Sequence, residues 1–418
     1  MATQQFRYHV GIDWASDSYQ VSVVNDKGEG VGEKQVEHSG DGIQQCIGWL
    51  LELAGGEAGS VAVGIEVPHG AMVESLIENN LAVFAINPKQ MDRFRDRHTV
   101  AGAKDDSLDA WVMADSLRTD QGCFHRVELD EPAILRLREL SRMDQDLQTD
   151  GNRLANQLWE QLRRYYPQML KLSPSADEAW LWDLLESAPL PEAGGRMKRA
   201  KAQGILKAHR IRRVTAEQVL EQLRQPSLRL APGAAEAASE HVQMLLPRLR
   251  LLHQQRAATA QRIQRVLDEL CAAPPEGEER EHRDAEILLS LPGIGPVVAA
   301  TMLAEASQPL RDRDYQALRT YTGAAPVTRQ SGKRRVVGMR YACNERLRNA
   351  LYHWSRTSMQ NDARAKHHYG ELRQRGHSHG RALRGLADRN LAMLVSMLQS
   401  GTLYDPAKRG SAALTQVS

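Results

Sequence analysis

The chain of 418 residues is 42% hydrophobic and 25% charged, which is enough for two or three domains with cores of their own. Its four cysteines lie far apart and form no CxxC pair, which argues against a zinc site or a disulfide framework and fits a reducing cytosol. No segment approaches about 18 consecutive apolar residues, and the first residues lack a basic-then-apolar signal, so we expect no membrane span.

The net charge of +2 hides an asymmetry between the two ends of the chain. Residues 311–418 carry 20 Lys and Arg against 7 Asp and Glu, whereas residues 1–310 carry 34 against 45. A basic segment joined to an acidic one is typical of nucleic-acid-binding proteins. A merely solvated basic surface is the alternative.

The first predicted domain, residues 1–121, shows the pattern of an α/β fold. The apolar, β-prone run Tyr8–Asp13 predicts a buried strand that ends in a carboxylate, and Val61–Glu66 predicts a second one. Alternation, a hairpin turn at 25–28 and apolar residues at helical spacing indicate the other elements. These are strands at 19–24, 30–36 and 81–86, and helices at 43–53, near 72–78 and from about Lys104. Three antiparallel strands followed by alternating helices and strands predict an α/β domain.

Four carboxylates stand out in this domain, Asp13, Glu66, Asp106 and Asp109. The first two end strands, where a sheet of this order presents side chains at its carboxyl edge. The other two are three residues apart at the start of a helix, so they share one helix face. Carboxylate oxygens suit Mg²⁺ or Mn²⁺, and two such ions about 3.5–4 Å apart can clamp the attacking and leaving oxygens of a phosphodiester. The alternative is an acidic first helix turn that favours the helix dipole.

The residues around these carboxylates carry a family resemblance. They resemble the DEDD motif of RuvC-like insertion-sequence transposases, the RNA-guided recombinases of insertion-sequence family one-ten. The matching segments are Gly11-Ile12-Asp13-Trp14-Ala15, Gly64-Ile65-Glu66 and Lys104-Asp105-Asp106-Ser107-Leu108-Asp109-Ala110. Asp105 replaces the Thr of the usual K-T-D-x-x-D-A. The resemblance implies a ribonuclease-H-like (RuvC-like) fold in which the four acids are catalytic and bind Mg²⁺ or Mn²⁺, and we expect Lys104 to contact nucleic acid.

The middle segment, 122–284, is predicted to be mostly helical. Leucines repeat at seven over 140–154, and a second apolar stripe at 3-4 spacing runs over 242–270, where Arg256 and Thr259 interrupt it. Such stripes form coiled-coil seams or bundle cores, so we expect two long helices packed as an antiparallel hairpin or across a dimer, with Pro247 starting or kinking the second. An intramolecular bundle is the alternative. The resemblance favours a dimer, because the family has a coiled-coil linker between its two catalytic domains.

An insertion at 173–235 lies between these helices. It contains Trp180 and Trp182 and then eight Lys and Arg with no acid among them. This basic run is either a surface for RNA or DNA phosphates or a solvated helix.

The C-terminal domain, 285–405, begins with a Pro-Gly-Ile-Gly turn between apolar runs. This pattern predicts a helix-hairpin-helix in which Gly293 and Gly295 let backbone N–H groups approach a DNA phosphate. An ordinary tight turn is the alternative. A loop with one hydroxyl among several cations follows and is predicted to bind phosphate. Its residues are Arg329, Ser331, Lys333, Arg334 and Arg335.

The pattern G-x-x-P…Q-S-G resembles the second domain of the same transposases, in which the serine is the nucleophile. That serine maps to Ser331. The usual G-N-x-x-L-R motif has Cys343 in place of Gly here, and we expect its Arg346 and Arg348 to contact nucleic acid. A basic, His-rich run over 364–384 is also expected to contact nucleic acid, and residues 406–418 are predicted to form a loose tail.

The resemblance covers residues 6–121 and 285–400 and implies a DNA transposase and recombinase. The implied active site is composite, with Ser331 supplied by another protomer of a homodimer or homotetramer, and the implied intermediate is a phosphoserine link to DNA formed with Mg²⁺ assistance. The implied partners are double-stranded DNA (element ends and target) and a bridge RNA, with no membrane, and we expect a bacterial, cytoplasmic, nucleoid-associated protein. The first alternative is a metal-dependent nuclease of the junction-resolvase type, in which water attacks and Ser331 only binds phosphate. The second is a non-catalytic nucleic-acid-binding protein.

Overall fold

The structure, a computed structural model, divides into two compact units, Met1–Asp130 and Glu131–Ser418. The described residues are 5–14, 17–68, 70–98, 106–128, 130–228, 230–231, 233–272, 284–332 and 334–406. The helical middle and the C-terminal region both belong to the second unit. The finer division into domains at 121 and 284 stays a prediction.

A mixed sheet of six strands forms the centre of the first unit. In chain order its strands are β1 (Tyr8–Trp14), β2 (Ser18–Asn25), β3 (Gly30–Glu37), β4 (Val61–Ile65), β5 (Ala82–Ala85) and β6 (His125–Arg126). They lie in the order β3-β2-β1-β4-β5-β6, with β1, β4 and β5 parallel and the other pairs antiparallel. The predicted ribonuclease-H-like α/β fold is therefore confirmed.

Helices cover both faces of this sheet. They are α1 (Gly40–Leu53), α2 (Ala71–Glu78), α3 (Pro88–His98) and α4 (Asp106–Asp120), with short 3-10 turns at Ala58–Ser60 and Gln121–Cys123. Val10 and Ile12 of β1 pack with α1 and α2 on one face, while Ala62 and Phe84 pack with α3 and α4 on the other. Two cores thus sandwich the sheet, because successive side chains of a strand point to opposite faces.

Gly11 sets how closely α4 lies on β1. A Cβ atom at this position would be 1.9 Å from the backbone oxygen of Ala110 and 2.7 Å from the backbone nitrogen of Ala114. Any side chain would therefore push the helix away from the strand. The close approach brings the first turns of α4 to the strand that carries Asp13.

Two long antiparallel helices organise the second unit, α5 (Pro132–Tyr165) and α11 (Ala234–Cys271). Arg136 of α5 pairs with Glu269 of α11 at 3.0 Å, and Arg256 of α11 pairs with the buried Asp144 of α5 at 3.2 Å. The predicted antiparallel packing of two long helices thus occurs within one chain. Pro247 lies inside α11, so the helix does not start there as one reading of the sequence expected.

Five short helices pack between the ends of α5 and α11 around one core, the first just before the insertion and the other four within it. They are α6 (Pro167–Leu172), α7 (Ala179–Ser187), α8 (Pro191–Gly195), α9 (Arg199–Ala208) and α10 (Ala216–Leu223). Trp180 and Trp182 are both buried in this core. The two tryptophans therefore hold the insertion together and offer no exposed ring.

The C-terminal region is mostly helical, as predicted. Its elements are α12 (Asp284–Ser290), α13 (Pro296–Glu305), α14 (Ser307–Arg311), α15 (Tyr315–Tyr321), β7 (Val327–Ser331), β8 (Arg334–Gly338), α16 (Glu345–Asn361), α17 (Ala363–Gln374) and α18 (His379–Ser400). Strands β7 and β8 form a separate two-stranded hairpin. Across the described residues, each helix is too short or too polar to cross a membrane.

Candidate functional site

Two of the four predicted acids lie side by side at the carboxyl ends of neighbouring parallel strands. Parallel strands β1 and β4 pair Ile12 with Ile65, and Asp13 and Glu66 are the next residues of each strand. Asp13 has the same parity as Gly11, so its side chain belongs to the face that α4 covers. Its carboxylate accepts a hydrogen bond of 3.0 Å from the backbone N–H of Trp14. Asp13 and Glu66 are each half-buried.

The third acid, Asp109, comes to this face from α4. It is only 4% exposed, and its neighbour Ala110 is the residue that contacts Gly11. Arg95 of α3 donates from Nε to Oδ1 of Asp109 at 2.6 Å and lies 3.6 Å from the exposed Asp92. Asp109 is therefore a nearly buried carboxylate whose charge is balanced by an arginine.

Asp106 is the first residue of α4, one turn before Asp109. Its side chain lies outside the described part of the structure, as do Lys104 and Asp105 altogether. Among the described side chains, His, Cys, Asp and Glu do not gather into a group of three or more that would hold a metal ion. The structure thus places Asp13 and Glu66 at the ends of neighbouring strands and Asp106 and Asp109 at the start of α4, and the four-acid metal site stays a prediction.

The chemistry of these donors fits a hard divalent cation. All are carboxylates, without Cys or His, which suits Mg²⁺ or Mn²⁺ rather than zinc. A metal at this edge would be held by Asp13, Glu66 and Asp109 with Asp106. Arg95 then lies beside the ligand set, in the position of an outer-shell partner that orients a ligating carboxylate.

Ser331 ends β7 at the tip of the exposed hairpin. It pairs with Arg334 of β8, and Gly332, the residue after Ser331, adopts the left-handed φ of +55° that is typical of a tight hairpin turn. Directly opposed residues and residues two apart share one face of a hairpin. Ser331 therefore shares its face with Arg329 and Arg334, while Arg335 lies on the other face together with Gln330, its cross-strand partner. Lys333 lies outside the described residues.

Two of the predicted nucleic-acid-contacting arginines are engaged within the protein. Arg348 donates to the backbone oxygens of Arg340 at 3.2 Å and Tyr341 at 2.8 Å and to Sγ of Cys343 at 2.6 Å. Arg346 reaches Gln145 of α5 at 3.5 Å. Arg348 thus holds the turn before α16, and Cys343, where the family has Gly, is one of its partners.

A buried acid fixes the same turn against the rest of the second unit. Glu305, at the end of α13, accepts from Arg142 of α5 at 2.8 Å and from Asn344, the N-cap of α16, at 2.9 Å. Burial opposes ionisation of Glu305, but the hydrogen bonds from Arg142 and Asn344 outweigh it and lower the pKa. Glu305 and Arg142 are not among the predicted site residues. Glu305 lies 39 residues from Asn344 and 163 residues from Arg142 in the sequence, so no local pattern indicates these contacts.

The two glycines of the Pro-Gly-Ile-Gly turn have different surroundings. Gly293 has φ of +87°, and a Cβ there would be 2.4 Å from the backbone nitrogen of Ser358 in α16. Gly295 is the N-cap of α13 and faces open space. Gly293 is therefore required for packing, whereas Gly295 leaves the N-terminus of α13 accessible, as a phosphate contact needs.

The sequence analysis does not predict α3, the helix that contributes Arg95. Pro88 at the first helical position and the buried Met91 with Phe94 three residues later are the signals of this helix. Arg95 reaches Asp109 only because α3 packs against α4, and no local sequence pattern encodes this packing.

Comparison with known proteins identifies the family. Residues 10–167 match the DEDD transposase family of IS110 elements, and residues 285–370 match the transposase family IS116/IS110/IS902. Over 236 residues, 56% of this chain and 64% of the relative, the sequence is 45% identical to the putative transposase y4uE of Sinorhizobium fredii. It is 34% identical over 424 residues, 98% of this chain and 97% of the relative, to the mini-circle putative transposase for IS117 of Streptomyces coelicolor. The chain is therefore a member of the IS110 family of transposases, with an N-terminal DEDD domain and a C-terminal transposase domain.

Proposed function

We propose that this transposase cuts and rejoins DNA strands through a covalent link to Ser331. The observation that carries the proposal is the exposed hairpin tip, where the hydroxyl of Ser331 shares a face with Arg329 and Arg334. Two guanidinium groups beside a hydroxyl favour a phosphodiester at that position, because arginine binds phosphate oxygens with charge-assisted hydrogen bonds. They also stabilise the charge that develops on those oxygens during attack.

The proposed reaction transfers a phosphoryl group of DNA to the hydroxyl of Ser331. The Oγ atom of Ser331 forms a bond to phosphorus while the bond from phosphorus to one deoxyribose oxygen breaks. The serine proton passes to a nearby carboxylate or to water, and the departing oxygen takes up a proton to become a hydroxyl. Attack of a different deoxyribose hydroxyl on the phosphoserine reverses the step and joins a new pair of strands without loss of bond energy.

The second part of the proposal concerns the four acids of the first unit. Asp13, Glu66, Asp106 and Asp109 are the residues that would hold Mg²⁺ or Mn²⁺, which supplies a Lewis acid for the phosphate and lowers the pKa of the attacking hydroxyl. The acids belong to the first unit and Ser331 to the second, and the family resemblance suggests that the serine comes from another protomer. A bridge RNA that pairs with donor and target DNA is likewise proposed from the resemblance.

A denaturing gel tests the covalent link. The protein, with the RNA encoded beside its gene, is mixed with labelled element-end DNA and Mg²⁺, and the gel is read for a protein–DNA adduct. We expect the adduct with the unaltered chain and its loss in Ser331→Ala and in Asp13→Asn. Thr328→Ala is the matched control, because it removes an exposed hydroxyl from the opposite face of the same hairpin.

The junction-resolvase alternative gives a different gel. If DNA is cleaved without an adduct, and Ser331→Ala still cleaves, water is the nucleophile and the serine only binds phosphate. Adducts that survive in Ser331→Ala but vanish in Thr328→Ala would reassign the nucleophile to the other hydroxyl.

A further inference from the structure

The insertion exposes a dense set of cations on and around α9. Residues 193–216 contain eight Lys and Arg and no Asp or Glu. All eight are exposed, and we call the six that have no ion pair within the described residues the α9 surface. The α9 surface consists of Arg196, Lys198, Lys201, Lys207, Arg210 and Arg212.

These six cations are not neutralised within the described part of the chain. The other two arginines of the run are paired, Arg199 with Glu217 at 2.5 Å and Arg213 with Glu178. For the α9 surface itself, the described residues provide neither an ion pair nor a side-chain hydrogen bond. The nearby Asp183 is occupied by His209 at 2.7 Å and by Arg250 at 2.6 Å. The surface therefore keeps its full positive charge towards solvent.

One of the six occupies a helix position that disfavours a cation. Lys198 is the N-cap of α9 and makes no capping hydrogen bond. Ser, Thr, Asp and Asn are preferred at an N-cap because their side chains accept from the free backbone N–H groups, and the positive end of the helix dipole repels a lysine. The next long helix of the insertion shows the ordinary solution, since Thr215 and Gln218 form a complete capping box on α10.

A second one occupies a backbone position that favours glycine. Arg210 follows the end of α9 with φ of +53°. The N–H of Ile211 donates to the backbone oxygen of Leu206 at 2.9 Å and the N–H of Arg210 to that of Lys207 at 3.1 Å, which is the hydrogen-bond pattern of a Schellman motif. Glycine is the usual residue there, because a side chain in the left-handed region is strained.

Both ends of α9 thus carry a cation where helix stability favours another residue. Residues that oppose the local helix preference without stabilising the fold in another way are typical of functional positions. From this pattern and the uncompensated charge we propose that the α9 surface binds the sugar–phosphate backbone of double-stranded DNA. This site involves neither Ser331 nor the four acids.

The shape of the surface favours a duplex backbone over splayed bases. The aromatic rings of the insertion, Trp180 and Trp182, are buried, so no ring is offered for base stacking, which single-strand binders use. Besides its cations, α9 exposes the small residues Ala200, Gly204 and Ala208, which leave room for a DNA backbone to approach the lysines. The chain is a transposase, whose substrate is DNA, and DNA duplexes carry the regular phosphate charge that such a surface complements.

The test replaces the two disfavoured cations with the residues that helix stability prefers. The full-length double variant Lys198→Ser with Arg210→Gly is compared with the unaltered chain for binding to a labelled 30-base-pair duplex of arbitrary sequence, over a series of salt concentrations. Each lost phosphate contact makes the slope of log K against log salt shallower by about 0.9, so we expect a change of about 1.8 and roughly tenfold weaker binding at low salt. The same variant is expected to unfold about 2–4 °C higher, because a cap is gained and strain is removed.

The matched control removes the same charge from another exposed place. Arg248→Gln with Arg262→Gln on α11 lowers the net charge equally, and we expect the salt slope to stay close to that of the unaltered chain. Equal losses in both double variants, an unchanged slope in Lys198→Ser with Arg210→Gly, or no binding of duplex DNA by the unaltered chain at 50 mM salt would each overturn the proposal. A loss seen only with an RNA duplex of the same sequence would also overturn it, and would assign the surface to RNA.

Discussion

At the scale of single residues, the ion pair between Arg95 and Asp109 tests the acid site without DNA. Asp109 is nearly buried, so removing its cation leaves an uncompensated charge in the protein. We expect Arg95→Ala to lower the free energy of unfolding by about 2 kcal/mol in the absence of metal. Added Mg²⁺ is expected to recover part of this loss, because a cation bound by Asp109 replaces the missing charge and stabilises the folded state by mass action.

Urea denaturation with and without 10 mM Mg²⁺ measures both effects. Arg97→Ala is the matched control, since Arg97 lies on the same helix and pairs with the more exposed Asp120 at 3.0 Å. An exposed pair of this kind contributes less than about 1 kcal/mol, and its loss gives Mg²⁺ nothing to replace. Equal destabilisation of the two variants, or no response of Arg95→Ala to Mg²⁺, would count against a metal site at Asp109.

Residue by residue, the position of an acid at a strand end is predictable from the sequence, whereas side-chain contacts are not. Asp13 and Glu66 were found because a carboxylate at the end of an apolar strand is a local pattern, and the sheet aligns them as expected. Arg346 and Arg348 carry the same charge as Arg334 in sequence, yet Arg348 holds the carbonyls of Arg340 and Tyr341. Charge is visible in a sequence, whereas the partner that neutralises it depends on the fold.

At the scale of elements, the β7–β8 hairpin divides its cations between two faces. Arg329 and Arg334 share the face of Ser331, and Arg335 lies on the other. We expect Arg329→Ala and Arg334→Ala each to reduce formation of the protein–DNA adduct by about 100-fold, because losing one charge-assisted contact to the reacting phosphate costs about 2.7 kcal/mol. Arg335→Ala is expected to change the adduct rate by less than threefold.

Time courses on denaturing gels, with saturating DNA, separate the rate of attack from binding. All three arginines are exposed on the same hairpin, so we expect each substitution to have little effect on stability. The variants then differ mainly in the hairpin face from which the charge is removed. If Arg335→Ala were as slow as Arg334→Ala, the hairpin would act through its total charge, and the assignment of one face to the chemistry would be wrong.

The β7–β8 hairpin and helix α11 differ in how far the sequence predicts them. A two-residue Gly-Lys loop between strand-like runs is a hairpin signal, and the cluster of cations around Ser331 led to a loop prediction in its place. The stripe of α11 was predicted together with its interruption at Arg256. The reason for that interruption is Asp144, a buried acid 112 residues earlier on α5, and such a pair has no local signature. Removing Arg256 would leave Asp144 as a buried acid without this partner, which disfavours other ways of packing the two helices.

At the scale of the whole molecule, the position of the first boundary is the part least accessible to sequence. The sequence analysis places the end of the first domain at residue 121, and this boundary stays a prediction. The compact unit of the structure that contains this domain extends to Asp130. Strand β6 has only two residues, too few for any periodic pattern, and it is recognised only through its pairing with Phe84 and Ala85.

This difference predicts the behaviour of two fragments. Residues 122–130 supply β6, the nearly buried Phe124, whose ring lies 5.7 Å from that of Phe94, and the N–H of Val127, which donates to the backbone oxygen of Val83 at 2.7 Å. Without them β5 becomes an open edge and the core under α3 loses an aromatic side chain, which costs about 3 kcal/mol or more. We therefore expect the fragment 1–130 to unfold cooperatively in a thermal scan, and the fragment 1–121 to unfold at least 10 °C lower or to aggregate.

The same pair of fragments bears on the division of labour between the units. The fragment 1–130 contains all four acids and lacks Ser331, so we expect Mg²⁺ to raise its Tm, Asp13→Asn to abolish that rise, and no adduct to form with DNA. Phe124→Ala in the fragment 1–130 is the control that separates the lost ring from the lost strand, and it should fall between the two fragments in Tm. A fragment 1–121 as stable as 1–130 would place the end of the folded unit at the predicted boundary, and β6 would then be an addition to a sheet that is complete without it.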